Sequence, residues 1–142
     1  MPQSETALIV DDHQGLAENL ALALRAAGFE TRTACDGMKG YASYLCQPSD
    51  WVVTDIEMPE LDGVEMIRCI RLLNPSVKTI YMTGASDKYW AVLAREAHEF
   101  AAQVLRKPFA LNRLIERMRD KQVPRIEAAT DACSQKTAPR VP

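Results

Sequence analysis

Five short apolar runs, each followed by a stretch of helical periodicity, predict an α/β protein built on a doubly wound parallel sheet. Two further observations support that class. Most of the runs are continuously apolar rather than alternating, as strands buried on both faces are. Each is separated from the next by a helical pattern long enough to serve as the crossover that parallel strands require. With 142 residues, 47% of them hydrophobic and 25% charged, the chain has an ordinary globular composition and the length for one sizeable core.

The elements follow in order. Residues 7–10 (ALIV) form an unbroken apolar strand, stopped by Asp11-Asp12. The first helix then places Leu16, Leu20 and Leu24 at helical spacing beside Ala17, Ala23 and Ala27, and Gly28 stops it. Residues 29–35 alternate and read as a half-exposed edge strand, and residues 36–46 as a second helix ended before Pro48. Residues 51–54 are the third strand; Pro59 blocks any helix directly after it, so the third helix spans residues 63–73. That helix sets Val64, Ile67 and Ile70 on one face and ends at Asn74-Pro75. Residues 77–82 and 102–105 are predicted as the fourth and fifth strands, and residues 87–97 and 111–121 as the helices that follow them. The last segment, VPRIEAATDACSQKTAPRVP, has three prolines and few large apolar side chains. The expected division is a folded domain at residues 1–121 and a flexible tail or linker at residues 122–142.

Several classes of function find no support. A net charge of −2 leaves no basic footprint for nucleic acid or an anionic membrane. The start, Met-Pro-Gln-Ser-Glu, lacks the basic region and apolar run of a secretory signal. No apolar stretch approaches the ~20 residues of a membrane span. Cys35, Cys46, Cys69 and Cys133 show neither a C-x-x-C pair nor ligand spacing with histidine. Reduced structural thiols in a cytoplasmic protein are the expectation.

Ligands of open parallel α/β sheets bind outside the carboxyl ends of the strands. In this chain those ends carry Asp11 and Asp12 after strand one, Asp55 after strand three, Thr83 after strand four and Lys107 after strand five. Strand two ends on nothing comparable. One edge of the sheet thus collects three acids, a hydroxyl and an amine. A single acid after a strand is often only a helix cap.

The four segments that bear these residues, LIVDD, VVTDIEMPELDG, IYMTGASD and VLRKPF, occur in the order and spacing that resemble the receiver domain of two-component response regulators, over about residues 6–120. The resemblance implies a flavodoxin-like (βα)5 sheet of strand order 2-1-3-4-5. In that order strands one and three are neighbours ~4.8 Å apart, so Asp11, Asp12 and Asp55 converge. Carboxylates ~4 Å apart repel by ~4 kcal/mol at an effective dielectric near 20, which invites a divalent cation. Magnesium, a hard ion that keeps water and phosphate oxygens among its ligands, suits the cluster.

The resemblance further implies the roles. Asp55 would be the phosphoacceptor, taking a phosphoryl group from the phosphohistidine of a histidine kinase or phosphotransfer protein. Magnesium would be held by Asp12 directly, by Asp11 mainly through water, by Asp55 and by the backbone carbonyl of Glu57. Thr83 and Lys107 would contact phosphoryl oxygens, and unphosphorylated Asp55 would pair with Lys107, whose bond to Pro108 is cis in relatives. Output would be altered protein binding, either to a downstream partner or to a fused output domain. The ~20 residues after the last helix leave no room for such a domain within the chain. A stand-alone receiver or the N-terminal part of a longer regulator is therefore expected.

Two departures from the family pattern fall near the usual output surface. Val104 stands where an aromatic residue is usual, three before the lysine, and Phe100-Ala101 replaces the usual Gly-Ala before strand five. Other conspicuous residues carry blander readings. His13 reads as structural or partner-facing, and His98 as a solvated helix-end residue. Tyr89 and Trp90 read equally as a partner patch or as one inward-packing ring. Arg113, Arg117 and Arg119, interleaved with Glu116 and Asp120, read as a solvated face. A magnesium-dependent aspartyl-phosphate phosphatase of the haloacid-dehalogenase type is the enzyme alternative. It would carry Asp-x-Asp after the first strand and a cap; here the acid follows the third strand, Glu57 stands two residues on, and no cap insertion is visible.

Overall fold

A computed structural model describes residues 3–84 and 87–119 of the chain. Within them β1 (Thr6–Val10), β2 (Glu30–Ala34), β3 (Trp51–Asp55), β4 (Lys78–Thr83) and β5 (Gln103–Arg106) alternate with α1 (Gln14–Ala26), α2 (Gly37–Cys46), α3 (Gly63–Leu73), α4 (Trp90–Phe100) and α5 (Leu111–Arg119). All strand pairings are parallel and the order is β2-β1-β3-β4-β5, the flavodoxin-like arrangement expected.

Strand parity builds two cores. Ile9, Val53, Ile80 and Leu105 leave one face of the sheet and meet Ala17, Leu20 and Leu24 of α1 and Leu114 and Met118 of α5. Leu8, Val52, Tyr81 and Val104 leave the other and meet Tyr44, Ile67, Ile70 and Leu93 of α2, α3 and α4. Each such aliphatic side chain, fully withdrawn from water, contributes roughly 1.5–3 kcal/mol. β3 is buried along its whole length because it lies at the centre of the sheet, whereas β2 is half-exposed at the edge.

Boundaries shift in places. β3, β4 and β5 each run one residue further than expected, so Asp55 and Thr83 are the last residues of their strands. A 3-10 turn at Asp87–Tyr89 occupies the expected start of the fourth helix. That helix then continues past Ala97 to Phe100 and stops at Ala101, which is left-handed with φ 59°. An alanine there offers no glycine signal to read. Arg117 is a second correction: only 7% of it is exposed, between Leu114 and Met118, and its carbonyl accepts from Gln103 Nε2 at 3.2 Å. Tyr89 packs inward on the second core while Trp90 stays partly exposed.

Cys35, Cys46 and Cys69 are free thiols. No helix among the described residues is long and apolar enough to cross a membrane. Ala85, Ser86, Asp120, Lys121, Cys133 and the whole expected tail at 122–142 lie outside the described residues.

Candidate functional site

Adjacency of β1 and β3 brings their carboxyl ends side by side. Asp11 is fully buried just past β1, where its N–H donates to Ala34 O at 3.1 Å and prolongs the pairing with β2. Its Oδ1 accepts from the backbone N–H of His13 at 2.8 Å, which fixes the carboxylate. Asp55 closes β3 and is 9% exposed; its Oδ1 accepts from the N–H of Ile56 at 2.9 Å. Asp12 is more open to solvent.

The loop that follows β3 is pinned from both sides. Asp62 and Glu65 form a reciprocal cap on α3, with Glu65 N–H donating to Asp62 Oδ1 at 2.8 Å and Asp62 N–H donating to Glu65 Oε1 at 3.1 Å. Gly63 N–H donates to Ile56 O at 2.8 Å. A Cβ on Gly63 would stand 2.1 Å from the carbonyl oxygen of Asp55, so only glycine admits this approach.

Lys107 reaches the acids from β5. Its Nζ lies 3.0 Å from Asp11 Oδ2 and 3.5 Å from Asp55 Oδ1. The nearer partner is Asp11, where the expectation had named Asp55. The backbone holds the lysine in place: its N–H donates to Thr83 O at 2.7 Å, and the Lys107-Pro108 bond is cis. Thr83 is buried, and its hydroxyl donates to Gly84 O at 3.2 Å. Glu57 is exposed after β3, with its carboxylate 3.9 Å from Lys88 Nζ.

His13 belongs to this group although the sequence reading left it outside. Its Nδ1 lies 3.3 Å from Asp11 Oδ1 and 3.4 Å from Asp12 Oδ1. Its place directly after the acid pair was the available signal. Ligand atoms of Asp11, Asp12, His13 and Asp55 all lie within 4.8 Å of one another. Burial holds the Asp55 carboxyl above the usual 3.8; the Lys107 ammonium pulls it down, and Asp11 and Asp12 push it up again. Three carboxylates face one ammonium here, and hard oxygen donors in that excess fit a divalent cation. Chemically the arrangement offers a carboxylate nucleophile at the open edge of the sheet, with charge compensation on both sides.

Comparison with known proteins agrees with this geometry. The family model described as response regulator receiver domain matches residues 7–119. The transcriptional regulatory protein PrrA of Mycobacterium tuberculosis is 34% identical over 116 residues, which cover 82% of this chain and 49% of that one. The C4-dicarboxylate transport transcriptional regulatory protein DctD of Rhizobium meliloti is 31% identical over 121 residues, covering 84% and 25%. This chain thus spans about half the length of PrrA and a quarter of DctD. Among solved structures, a response regulator receiver domain protein of Clostridium thermocellum shares 32% identity at a TM-score of 0.69, over 78% of this chain and 87% of that one. A CheY-like receiver domain protein of Methanospirillum hungatei superposes with a TM-score of 0.72 over 82% and 91%; at 24% identity it speaks for the fold alone.

Proposed function

This chain belongs to the response regulator receiver domain family of two-component systems, a signalling module rather than a catalytic enzyme, and from that premise we propose that Asp55 is its phosphoacceptor. The observation that carries the proposal is the convergence of Asp55 with Asp11, Asp12 and the Lys107 ammonium at the carboxyl edge of the sheet. An Asp55 oxygen attacks the phosphorus of a phosphohistidine on a histidine kinase or phosphotransfer protein. The P–N bond breaks, the imidazole nitrogen leaves with its electron pair, and an acyl phosphate remains on Asp55.

The residues of the site divide the work. Lys107 and the Ile56 N–H hold the Asp55 carboxylate in line for attack. Lys107, with the Thr83 hydroxyl, then turns to the new phosphoryl oxygens. Asp11, Asp12, Asp55 and the carbonyl of Glu57 would hold magnesium, which supplies neutralisation of the charge on the acids and the incoming phosphoryl group.

Residues 1–121 act as the receiver unit and residues 122–142 as its tail. The output is altered binding to a downstream protein or to a fused output domain, the latter in keeping with relatives that are longer and named transcriptional regulators. We place this activity in the cytoplasm, with no direct nucleic-acid contact by this segment. Incubation with acetyl phosphate and magnesium, followed by intact mass, tests the assignment. The protein should gain one phosphate, and lose that gain in excess chelator and in Asp55→Asn. An Asp55→Asn protein that gains the same mass sinks it.

A further inference from the structure

Tyr81 stands on β4 two residues before Thr83, so both side chains leave the same face of the strand, toward α3 and α4. The Tyr81 ring is fully buried, and its hydroxyl donates to Glu96 Oε1 at 2.7 Å. Glu96 belongs to α4 and is 2% exposed. Arg71 of α3 meets the same carboxylate twice, Nη2 to Oε1 at 2.7 Å and Nη1 to Oε2 at 3.4 Å. The guanidinium also lies 3.7 Å from the centre of the Phe100 ring, at the last residue of α4. One buried carboxylate therefore joins β4, α3 and α4.

An apolar residue would pack at position 96 at lower desolvation cost, so a buried ion pair there is a poor device for stability alone. Its position suggests another use. In the sheet Tyr81 is in register with Thr54, which precedes Asp55, and with Val104, three residues before Lys107. Val104 is compact and carries no polar handle. Tyr81 is the large side chain of this layer, and it has a handle on α4. Burial and the Glu96 carboxylate push its hydroxyl well above the ordinary range, so it remains a donor.

We propose that the Arg71–Glu96–Tyr81 triad couples the phosphoacceptor pocket to α4. The coupling rests on the reading of Asp55 as phosphoacceptor. When new phosphoryl oxygens draw the Thr83 hydroxyl away from Gly84, the end of β4 follows. Tyr81, on the same strand and face, shifts with it, and its bond to Glu96 carries the shift into α4. Arg71 pairs with the carboxylate and gives α4 a pivot on α3. Tyr81 and Glu96 are positioning residues in this scheme, acting on α4 and not on the phosphoryl group.

The test uses the full chain as wild type, Tyr81→Phe, Glu96→Met and Glu96→Gln. Each is phosphorylated with acetyl phosphate and magnesium for intact mass, and each is recorded by backbone amide NMR with and without beryllofluoride. Tyr81→Phe removes one oxygen and leaves the Arg71–Glu96 pair; Glu96→Met keeps the bulk and removes the handle. All four proteins should gain one phosphate. In wild type the mimic should shift amides around Asp55, Thr83 and through Trp90–Phe100. In Tyr81→Phe and Glu96→Met the shifts near Asp55 and Thr83 should persist while most of those in α4 are lost. Glu96→Gln, whose amide oxygen still accepts from Tyr81, should regain them in large part. An α4 response in Tyr81→Phe or Glu96→Met equal to that of wild type overturns the coupling, as does a phosphorylated wild type with α4 silent. A wild type that gains no phosphate overturns the phosphoacceptor reading, and the coupling with it.

Discussion

At the scale of the residue the pocket is a problem in charge, and Asp55 and Lys107 sit on opposite sides of it. Burial first, and the neighbouring acids after it, hold the Asp55 carboxyl above its usual value. A carboxyl of that kind binds its proton more tightly in the folded chain than in the unfolded one. Its contribution to stability is full below the unfolded value and is lost as pH rises through the raised one. Above that raised value the wild type has lost it, whereas an asparagine does not titrate. Asp55→Asn should therefore be more stable than wild type in chelator at pH above that raised value, by about 0.5–2 kcal/mol, the size common for a single stabilising substitution. The gap should close as pH falls toward the unperturbed 3.8. Paired urea melts across that range check it, and a gap that is constant or reversed contradicts it. Lys107 gives a second expectation. Because its closest partner is Asp11, the ammonium competes with a cation for that carboxylate. Lys107→Ala should bind magnesium more tightly, by about 1 kcal/mol as expected for one partly exposed ion pair, while losing the α4 response to phosphorylation. Calorimetric titration showing weaker binding would count against this competition. The sequence showed that these residues share an edge; it could not show which acid the lysine prefers, since one flexible side chain from β5 reaches both.

At the scale of the element, the accuracy of the sequence reading followed the strength of the local signals. α3 was legible to the residue because Asp62 and Glu65 make a capping box at its start and Asn74-Pro75 ends the helix. α4 was misread at both ends, since its start is a 3-10 turn and its stop a left-handed alanine. Arg117 was misread because charge alternation suggests solvent, whereas its position between Leu114 and Met118 withdraws it from water. His13 was passed over because an exposed imidazole carries no periodic signal, only adjacency to two acids. The tight joint between β3 and α3 yields a prediction at this scale. A methyl on Gly63 would collide with the Asp55 carbonyl, an unyielding backbone atom, at 2.1 Å. Gly63→Ala should therefore cost about 1–3 kcal/mol by overpacking. It should also slow phosphorylation by acetyl phosphate more than the lost stability explains, because the displaced atom belongs to the nucleophile's own residue. Chemical denaturation together with timed mass measurements decides the matter. A destabilised protein that is labelled at the wild-type rate would show that β3 absorbs the strain elsewhere.

At the scale of the whole molecule, two cores on opposite faces of one sheet hold the strand ends in a fixed row, and the site exists only as a product of strand order. The class could be argued from five alternations of apolar run and helical pattern; the order came from resemblance, because periodicity says which residues are buried but not which strands are neighbours. With β1 and β3 adjacent, residues 44 positions apart, Asp11 and Asp55, meet. Among the described residues the last contributor to either core is Met118. One more anchor follows, the guanidinium of Arg119 donating to Ala27 O at 2.8 Å, which ties the end of α5 to the end of α1. Beyond it the sequence turns to three prolines and few large apolar residues. A chain ending after Lys121 keeps every described apolar side chain of both cores and the Arg119 tie. Its unfolding free energy should match that of the full chain to within about 0.5 kcal/mol, the range of changes away from packed features, and it should gain the same single phosphate. A chain ending after Leu114 loses Met118 and Arg119 together. It should unfold at distinctly lower urea, with phosphorylation falling in step, because β5 and its lysine are held against the sheet by α5. Equal stability of these two chains would mean that α5 does not close the core, whereas a loss already at Lys121 would place part of the folded unit in residues 122–142.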